Sequence, residues 1–331
     1  MNGQAEVNKT HSFYHLTPDW ILKAVETSGL HCTGTCYALN SYENRVYEVE
    51  VTDASGNLGR RIVKFYRPGR WADEVILEEH TFLLELAAAE LAVAAPVLFD
   101  GKTLHHCEGT NIPYAIFPKI SGRSRDELDE TALRRLGHLL ARLHNVGRVK
   151  PFQHRPHFDV DSLGRQSLCT IQDSRSLPAN LQQTYEALVA QIFAAIEPRF
   201  NAADVQRVHG DFHLGNILWQ DDTPTCVDFD DIGMGPVVQD LWLTVPGRDE
   251  EARRQFDILV NAYEVLGLLN RDTFRLIEPL RTLRMIHYSA WILRRLEDPA
   301  FPRAFPDFGT ERYWAQQIQD LWEQAEVLGL S

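Results

Sequence analysis

Two carboxylates and one amide hold the chemistry that can be read from this chain. His209-Gly210-Asp211-Phe212-His213-Leu214-Gly215-Asn216 is followed, twelve residues after Asn216, by Asp228-Phe229-Asp230. A hydroxyl nucleophile needs a carboxylate to accept or orient its proton, and a magnesium-bound triphosphate needs hard oxygen donors in near-octahedral geometry. A carboxylate, an amide oxygen five residues on and a further carboxylate after the next apolar run suit phosphoryl transfer from a magnesium nucleotide. Asp211 reads as the catalytic base, and Asn216 and Asp228 read as metal ligands, with Asp228 also counted among the catalytic residues. Asp221-Asp222 is a turn signal, and the β-prone run Pro224 to Val227 follows it, so Asp228 is expected just past a strand end.

A rival set shares these residues. His209, Asp211 and His213 alternate, so on a strand they would face one way and make a zinc or dinuclear hydrolase site. The tract offers no further ligands at a definite spacing, and the two histidines are better read as groups that order a loop. Asp211 alone is compatible with a turn residue or cap; the joint pattern with Asn216 and Asp228 argues against that.

The run His-Gly-Asp-x-His-x-x-Asn followed by Asp-Phe-Asp resembles the aminoglycoside phosphotransferase and choline kinase family of the protein-kinase-like fold. It matches the protein-kinase catalytic loop in its five-residue step, with Gly210 where protein kinases carry arginine. Within that family Asn40 to Arg45, Val63 to Pro68, His209 to Trp219 and Gly235-Pro236 through Asp240-Leu241-Trp242 are most similar to a bacterial stress-response branch. This likeness runs nearly the whole chain, through Asp298 to Pro302. It implies an ATP- and Mg2+-dependent serine/threonine protein kinase of the cytoplasm. The same motifs serve small-molecule kinases acting on aminoglycosides, amino alcohols or sugars. A module that only binds ATP is a third reading, against which the intact Asp211, Asn216 and Asp228 set argues.

Elements that must position these groups can be found upstream. Thr17-Pro18-Asp19 is a helix start with a capping hydroxyl and proline at the first position, and Gly29 is a stop; Trp20, Ile21, Ala24 and Val25 form the apolar side. Arg45 to Val51 alternates, with Tyr47, Val49 and Val51 on one face. After the turn-rich stretch 53–59, Arg61 to Tyr66 is the returning strand. The tight turn Asn40 to Asn44 lies where kinases put a glycine-rich phosphate loop, yet it has no glycine; the resemblance implies that Ser41 and backbone N–H groups contact phosphate there.

Lys64 is the only lysine in the returning strand. In the helix expected over 72–90, Val75, Glu79, Phe82 and Leu86 make a stripe in which one carboxylate interrupts an apolar face. A carboxylate there needs a partner, and Lys64 on the neighbouring strand is the natural one. That pair would orient the lysine toward the nucleotide phosphates, which selects Glu79 over Glu78. The β pattern continues through Val93 to Leu98 and Tyr114 to Phe117 and breaks at Pro118 to Gly122, which places a boundary near residue 120.

Beyond it the text is mostly helical. Leu133, Leu136, Leu140 and Leu143 form one stripe and Tyr185, Leu188, Ile192 and Ile196 another. His144 reads as a satisfied structural histidine, and 151–177 as an irregular segment with no legible substrate. The resemblance suggests that Asp240 braces the catalytic loop through backbone N–H groups. Arg281, Arg284, Arg294 and Arg295, on a helix expected over 276–297, read as a solvated face rather than part of an acceptor site. Pro299 to Pro306 reads as a loop.

The chain has 331 residues, 44% hydrophobic and 24% charged, with a formal net charge of −13. That is the composition of a globular protein with room for about two domains. The negative surface disfavours nucleic acid and favours cationic or neutral partners. Five scattered cysteines make no disulfide framework. Neither an export signal nor a membrane span is indicated, and a reducing cytoplasm fits. The expectation is an α+β, two-lobed protein-kinase-like fold. Residues 1–120 would form a small antiparallel β lobe that binds ATP, and 121–331 a larger helical lobe for catalysis and substrate. A monomer acting on a protein serine or threonine, or on a small hydroxyl compound, completes it.

Overall fold

The computed structural model describes residues 13–14, 16–53, 55–201 and 203–330; Ala54, within the expected 53–59 turn, lies outside them. Contacts divide the chain into two compact units, one of Met1–Arg135 with Leu214–Asp230 and one of Leu136–His213 with Asp231–Ser331.

The first unit opens with α1 (Pro18–Glu26), which has proline at its first position as the sequence suggests. Thr17 does occupy the N-cap, but its hydroxyl makes no capping hydrogen bond. Ile21, Ala24 and Val25 are buried, while Trp20, about a quarter-turn round the helix from their centre, is 40% exposed and leaves the expected apolar side. β1 (His31–Leu39), β2 (Arg45–Thr52), β3 (Leu58–Phe65), β4 (His105–His106) and β5 (Pro113–Pro118) form one antiparallel sheet in the order β1-β2-β3-β5-β4. Val49, Val51, Val63, Phe65, Tyr114 and Ile116 pack with α1, and Tyr47 lies against them, as the alternation requires.

α2 (Asp73–Ala88) buries Glu79, Phe82 and Leu86, with Ile76 rather than Val75 one turn earlier. The β pattern expected over 93–98 is not realised as a strand. Val93 makes a single bridge to Cys226, Val97 donates to the Ile116 carbonyl, and Leu98 is exposed. Pro96 has no N–H to give a ladder. β7 (Ile217–Gln220) and β8 (Thr223–Cys226) form the hairpin that Asp221-Asp222 signals, with Ile217 opposite Cys226.

The second unit is mainly helical. In α3 (Glu130–Gly147) Leu133, Leu136, Leu140 and Leu143 are all buried. α4 (Gln166–Ser174) is entered through a π-helical turn over Val160–Arg165, so the 151–177 stretch is more regular than its text suggests. α5 (Ala179–Phe200) presents Tyr185, Leu188, Ile192 and Ile196 to a core shared with α8 (Ile277–Leu293) and α10 (Glu311–Val327). β6 (Gln206–Val208) pairs with β9 (Gly233–Gly235), and α6 (Val238–Thr244) and α7 (Glu250–Leu266) follow. The expected 299–306 loop contains the short helix α9 (Ala300–Ala304).

Candidate active site

In the first unit the hairpin performs a specific task. Asn216 immediately precedes β7 and Asp228 stands two residues past β8, so pairing of Ile217 with Cys226 brings both to one end. The Val227 N–H donates to the Asn216 carbonyl at 3.0 Å and closes that end. Asp228 is exposed and adopts φ +60°, a left-handed conformation that aspartate tolerates better than most residues. Phe229 packs edge-on against Phe82 of α2, ring centroids 6.2 Å apart, which ties this end of the hairpin to α2.

α2 and β3 bring Lys64 and Glu79 together. Lys64 Nζ donates to Glu79 Oε1 at 3.1 Å, with both side chains almost wholly buried. Asp230 Oδ1 lies 2.9 Å from the same nitrogen, and Arg70 pairs with Asp230 and, at 3.2 Å, with Glu43. Burial works against the Lys64 ammonium, but the charges of Glu79 and Asp228 among others outweigh it and raise the pKa above the ordinary lysine value. Lys64 is therefore a cation held in a carboxylate-rich setting.

Ser41 sits in the β1–β2 turn, where its Oγ accepts the Asn44 N–H at 3.3 Å. Arg67 grips the same turn, donating through Nε to the Glu43 carbonyl at 2.9 Å and through Nη2 to that of Tyr42 at 2.9 Å. Side-chain clamps thus order a turn that has no glycine.

In the second unit β6 ends at Val208, so His209, Asp211 and His213 do not share a strand face. Asp211 follows a sharp bend at Gly210, whose φ is +82°. A Cβ there would lie 2.3 Å from Phe158 and 2.4 Å from the Asp231 carbonyl, so both conformation and space demand glycine where protein kinases carry arginine. The bend is fixed from α6. Asp240, fully buried, accepts the His209 N–H through Oδ2 and the Gly210 N–H through Oδ1, each at 2.8 Å. His144 Nε2 reaches Oδ2 at 3.0 Å and its Nδ1 meets the Tyr263 hydroxyl at 3.1 Å, the satisfied structural role expected of it. Gln239 donates to the Gly210 carbonyl at 2.9 Å and Thr244 to that of Phe212 at 3.3 Å.

The sequence reading missed Gln239 and Thr244. Their one signal is polar side chains within the otherwise apolar run of a fully buried helix.

Beside the Asp211 carboxylate stand a guanidinium and an imidazole. Arg284 Nη2 donates to Oδ1 at 2.7 Å and His213 Nε2 lies 3.4 Å from Oδ2. Burial by itself would raise the carboxyl pKa, but the His213 hydrogen bond and the charges of Arg284, His213 and His209 hold it well below the usual range. The solvated-face expectation for the arginines of α8 is therefore corrected. Arg284 binds Asp211, Arg281 donates to the Pro246 carbonyl and lies 4.8 Å over Trp242, and Arg295 is buried. Arg294 is exposed, as Arg284 is, and it donates to Thr170 at 3.3 Å. Among the described residues no group of three or more His, Cys, Asp or Glu side chains is placed to hold a metal.

A five-stranded antiparallel sheet followed by a mainly helical unit, with Lys64 paired to the α2 carboxylate, is the protein-kinase-like fold. The chain belongs to the phosphotransferase enzyme family (APH), whose model matches residues 36–277. It is 39% identical over 322 residues to stress response kinase A of Escherichia coli, covering 97% of this chain and 96% of that protein. It is 38% identical over 319 residues to the serine/threonine protein kinase RdoA of Salmonella typhimurium, covering 96% and 95%. Solved structures of similar fold include an amicoumacin kinase in complex with AMP-PNP, Ca2+ and Ami (TM-score 0.68, 20% identity, 91% and 93% coverage). A microcompartment-associated aminopropanol kinase has TM-score 0.67, 18% identity and coverage of 93% and 96%.

Proposed function

We propose that the protein is an ATP-dependent serine/threonine protein kinase acting in a bacterial stress response. The observation that carries phosphoryl transfer is the gathering, in one compact unit, of the Lys64–Glu79 pair with Asn216 and Asp228 at the hairpin end. The protein acceptor and the stress role are supported by the names of relatives that match nearly end to end.

In this reading Lys64, steadied by Glu79, contacts the nucleotide phosphates, and Ser41 with neighbouring backbone N–H groups covers them. The amide oxygen of Asn216 and the carboxylate of Asp228 are hard donors suited to Mg2+, which when bound neutralises charge on the phosphates. Asp211 is ionised, and one of its oxygens accepts the hydrogen bond and then the proton of the acceptor hydroxyl as oxygen bonds to the γ-phosphorus and ADP departs. Its depressed pKa makes it a weak base. That suits a loose transition state, in which orienting the nucleophile matters more than early proton removal.

The deciding experiment offers γ-labelled ATP and Mg2+ with a protein substrate beside a panel of small hydroxyl compounds, to the wild type and to Asp211→Ala. Label on serine or threonine that falls about 10²- to 10⁴-fold in the variant is expected. Label confined to an amino alcohol, sugar or aminoglycoside would favour the second reading, which the aminopropanol kinase of similar fold supports. Loss of ATP binding in a folded Asp211→Ala would make that residue a nucleotide or metal ligand instead.

A further inference from the structure

The base of this chain is surrounded by charge of the sign opposite to that of the molecule as a whole. The chain carries a net −13, yet Asp211 is paired with the Arg284 guanidinium, with the His213 imidazole beside it, both nearly half exposed. α8 and the turn after it continue the pattern. Arg284, Arg294 and Arg295 all act on the ring of His287, which stands between them in sequence and meets the Ser167 hydroxyl at 3.1 Å. On the acidic side Asp231 acts on that same ring, while Glu278 is engaged by Arg248 and Arg281. One turn beyond Arg284, Tyr288 is 45% exposed and stacks on Trp291, centroids 5.7 Å apart and planes 14° off parallel.

A protonated amino alcohol or aminoglycoside brought to Asp211 would meet a guanidinium 2.7 Å from the carboxylate that must receive its hydroxyl. Like charges in such proximity oppose binding. An acceptor bearing carboxylates meets the reverse. Guanidinium groups pair with carboxylates in bidentate geometry, and the exposed Tyr288 ring, backed by the half-buried Trp291, offers an apolar platform beside them.

We propose that Arg284 and Arg294, with the Tyr288–Trp291 platform, form an acceptor subsite for a protein segment in which the target serine or threonine is flanked by aspartate or glutamate. This rests on the protein-kinase reading and names its substrate class. Arg284 exchanges the Asp211 carboxylate for one on the acceptor, and the vacated Oδ1 takes the hydrogen bond of the incoming hydroxyl. An acidic acceptor thus unlocks the base that will orient it, whereas a neutral or basic one leaves Arg284 in place.

The test measures kcat/KM for three serine peptides of one backbone whose flanking residues are acidic, neutral or basic, together with ethanolamine and a sugar phosphate. The wild type is expected to favour the acidic over the basic peptide by at least about tenfold at low salt, the ratio shrinking as salt screens the pairs. Arg284→Ala should bring the ratio toward one and Arg284→Glu should invert it. Arg294→Glu, which leaves the Arg284–Asp211 pair in place, should lower the ratio. Thermal melts confirm that each variant is folded.

Peptides labelled without regard to flanking charge overturn the acidic subsite and leave the protein-kinase reading standing. Label only on ethanolamine overturns both, and label only on the sugar phosphate keeps the anion subsite but removes the protein occupant. A ratio unchanged in folded Arg284→Glu overturns the role of Arg284 whatever the wild type prefers.

Discussion

Lys64 and Asp211 are both buried or half-buried charges at the heart of their units, and their surroundings are mirror images. Lys64 is one cation among carboxylates, with Glu79 and Asp230 in contact and Asp228 in electrostatic reach. Asp211 is one carboxylate held by a guanidinium, with an imidazole beside it. The partners of Lys64 are themselves hidden from water, whereas Arg284 and His213 are nearly half exposed. Ions that bury one another depend on one another for folding, because removing one strands the rest in low dielectric. Ions that water can still reach do not. The first region is therefore built for rigidity, and the second for exchange of partners.

Lys64→Met tests that difference most severely. It takes the Lys64 ammonium away from Glu79 and from Asp230, which keeps Arg70, so stability should fall by about 3–5 kcal/mol, read by urea denaturation. Lys64→Met combined with Glu79→Leu should recover a substantial part of that loss, since two apolar side chains replace a broken pair. Asp211→Ala, by contrast, releases Arg284 into solvent and should cost far less stability than Lys64→Met while abolishing transfer. Equal destabilisation by the two variants would break the comparison.

Much of this was legible in the sequence because it is local. The spacing of Asp211, Asn216 and Asp228 fits a bend followed by a hairpin, and Asp221-Asp222 marks the turn that carries Asn216 and Asp228 to one end. Glu79 was legible because a carboxylate in an apolar stripe must find a cation, and β3 offers a single lysine. Asp230 was not, since its pairing with Lys64 and Arg70 spans about 160 residues and has no periodic signal. The arginines of α8 misled for the same reason. Helical spacing gives the side on which Arg284 projects, but whether that side meets water or Asp211 depends on a loop some seventy residues earlier. Net charge does not reach this scale, because −13 is a sum over the whole surface and says nothing of the few ångströms around Asp211.

A smaller effect sharpens the description of the cationic side. Burial first, and then the charge of Arg294 with those of Arg295 and Arg284, depress the His287 pKa from 6.5 to about 4, with Asp231 opposing. Between those values the unfolded chain binds a proton that the folded chain refuses. Stability from this source is complete above pH 6.5 and is lost as pH falls toward 4, by at most about 3 kcal/mol and by less for a ring that is only half-buried. Urea midpoints of wild type and His287→Gln should therefore converge on acidification from pH 7 to 4.5. Parallel curves would mean that the cations do not bear on this ring, and the charge excess on α8 would be weaker than its arginines imply.

The smallest effect concerns the glycine-free turn. Ser41 Oγ accepts the Asn44 N–H, and the Arg67 and Arg70 clamps already hold Tyr42 and Glu43, so the turn is ordered by several groups at once. Losing one neutral hydrogen bond from a half-buried hydroxyl costs about 1 kcal/mol. If Ser41 also contacts phosphate, Ser41→Ala should raise KM for ATP several-fold with kcat nearly kept, and Ser41→Thr should restore much of the loss. A melting temperature lowered by a few degrees with KM unchanged would reduce Ser41 to a turn-forming residue. Phosphate contact would then fall to backbone N–H groups that only the clamped turn presents, and the arginines that hold that turn would be the nucleotide-positioning side chains of this loop.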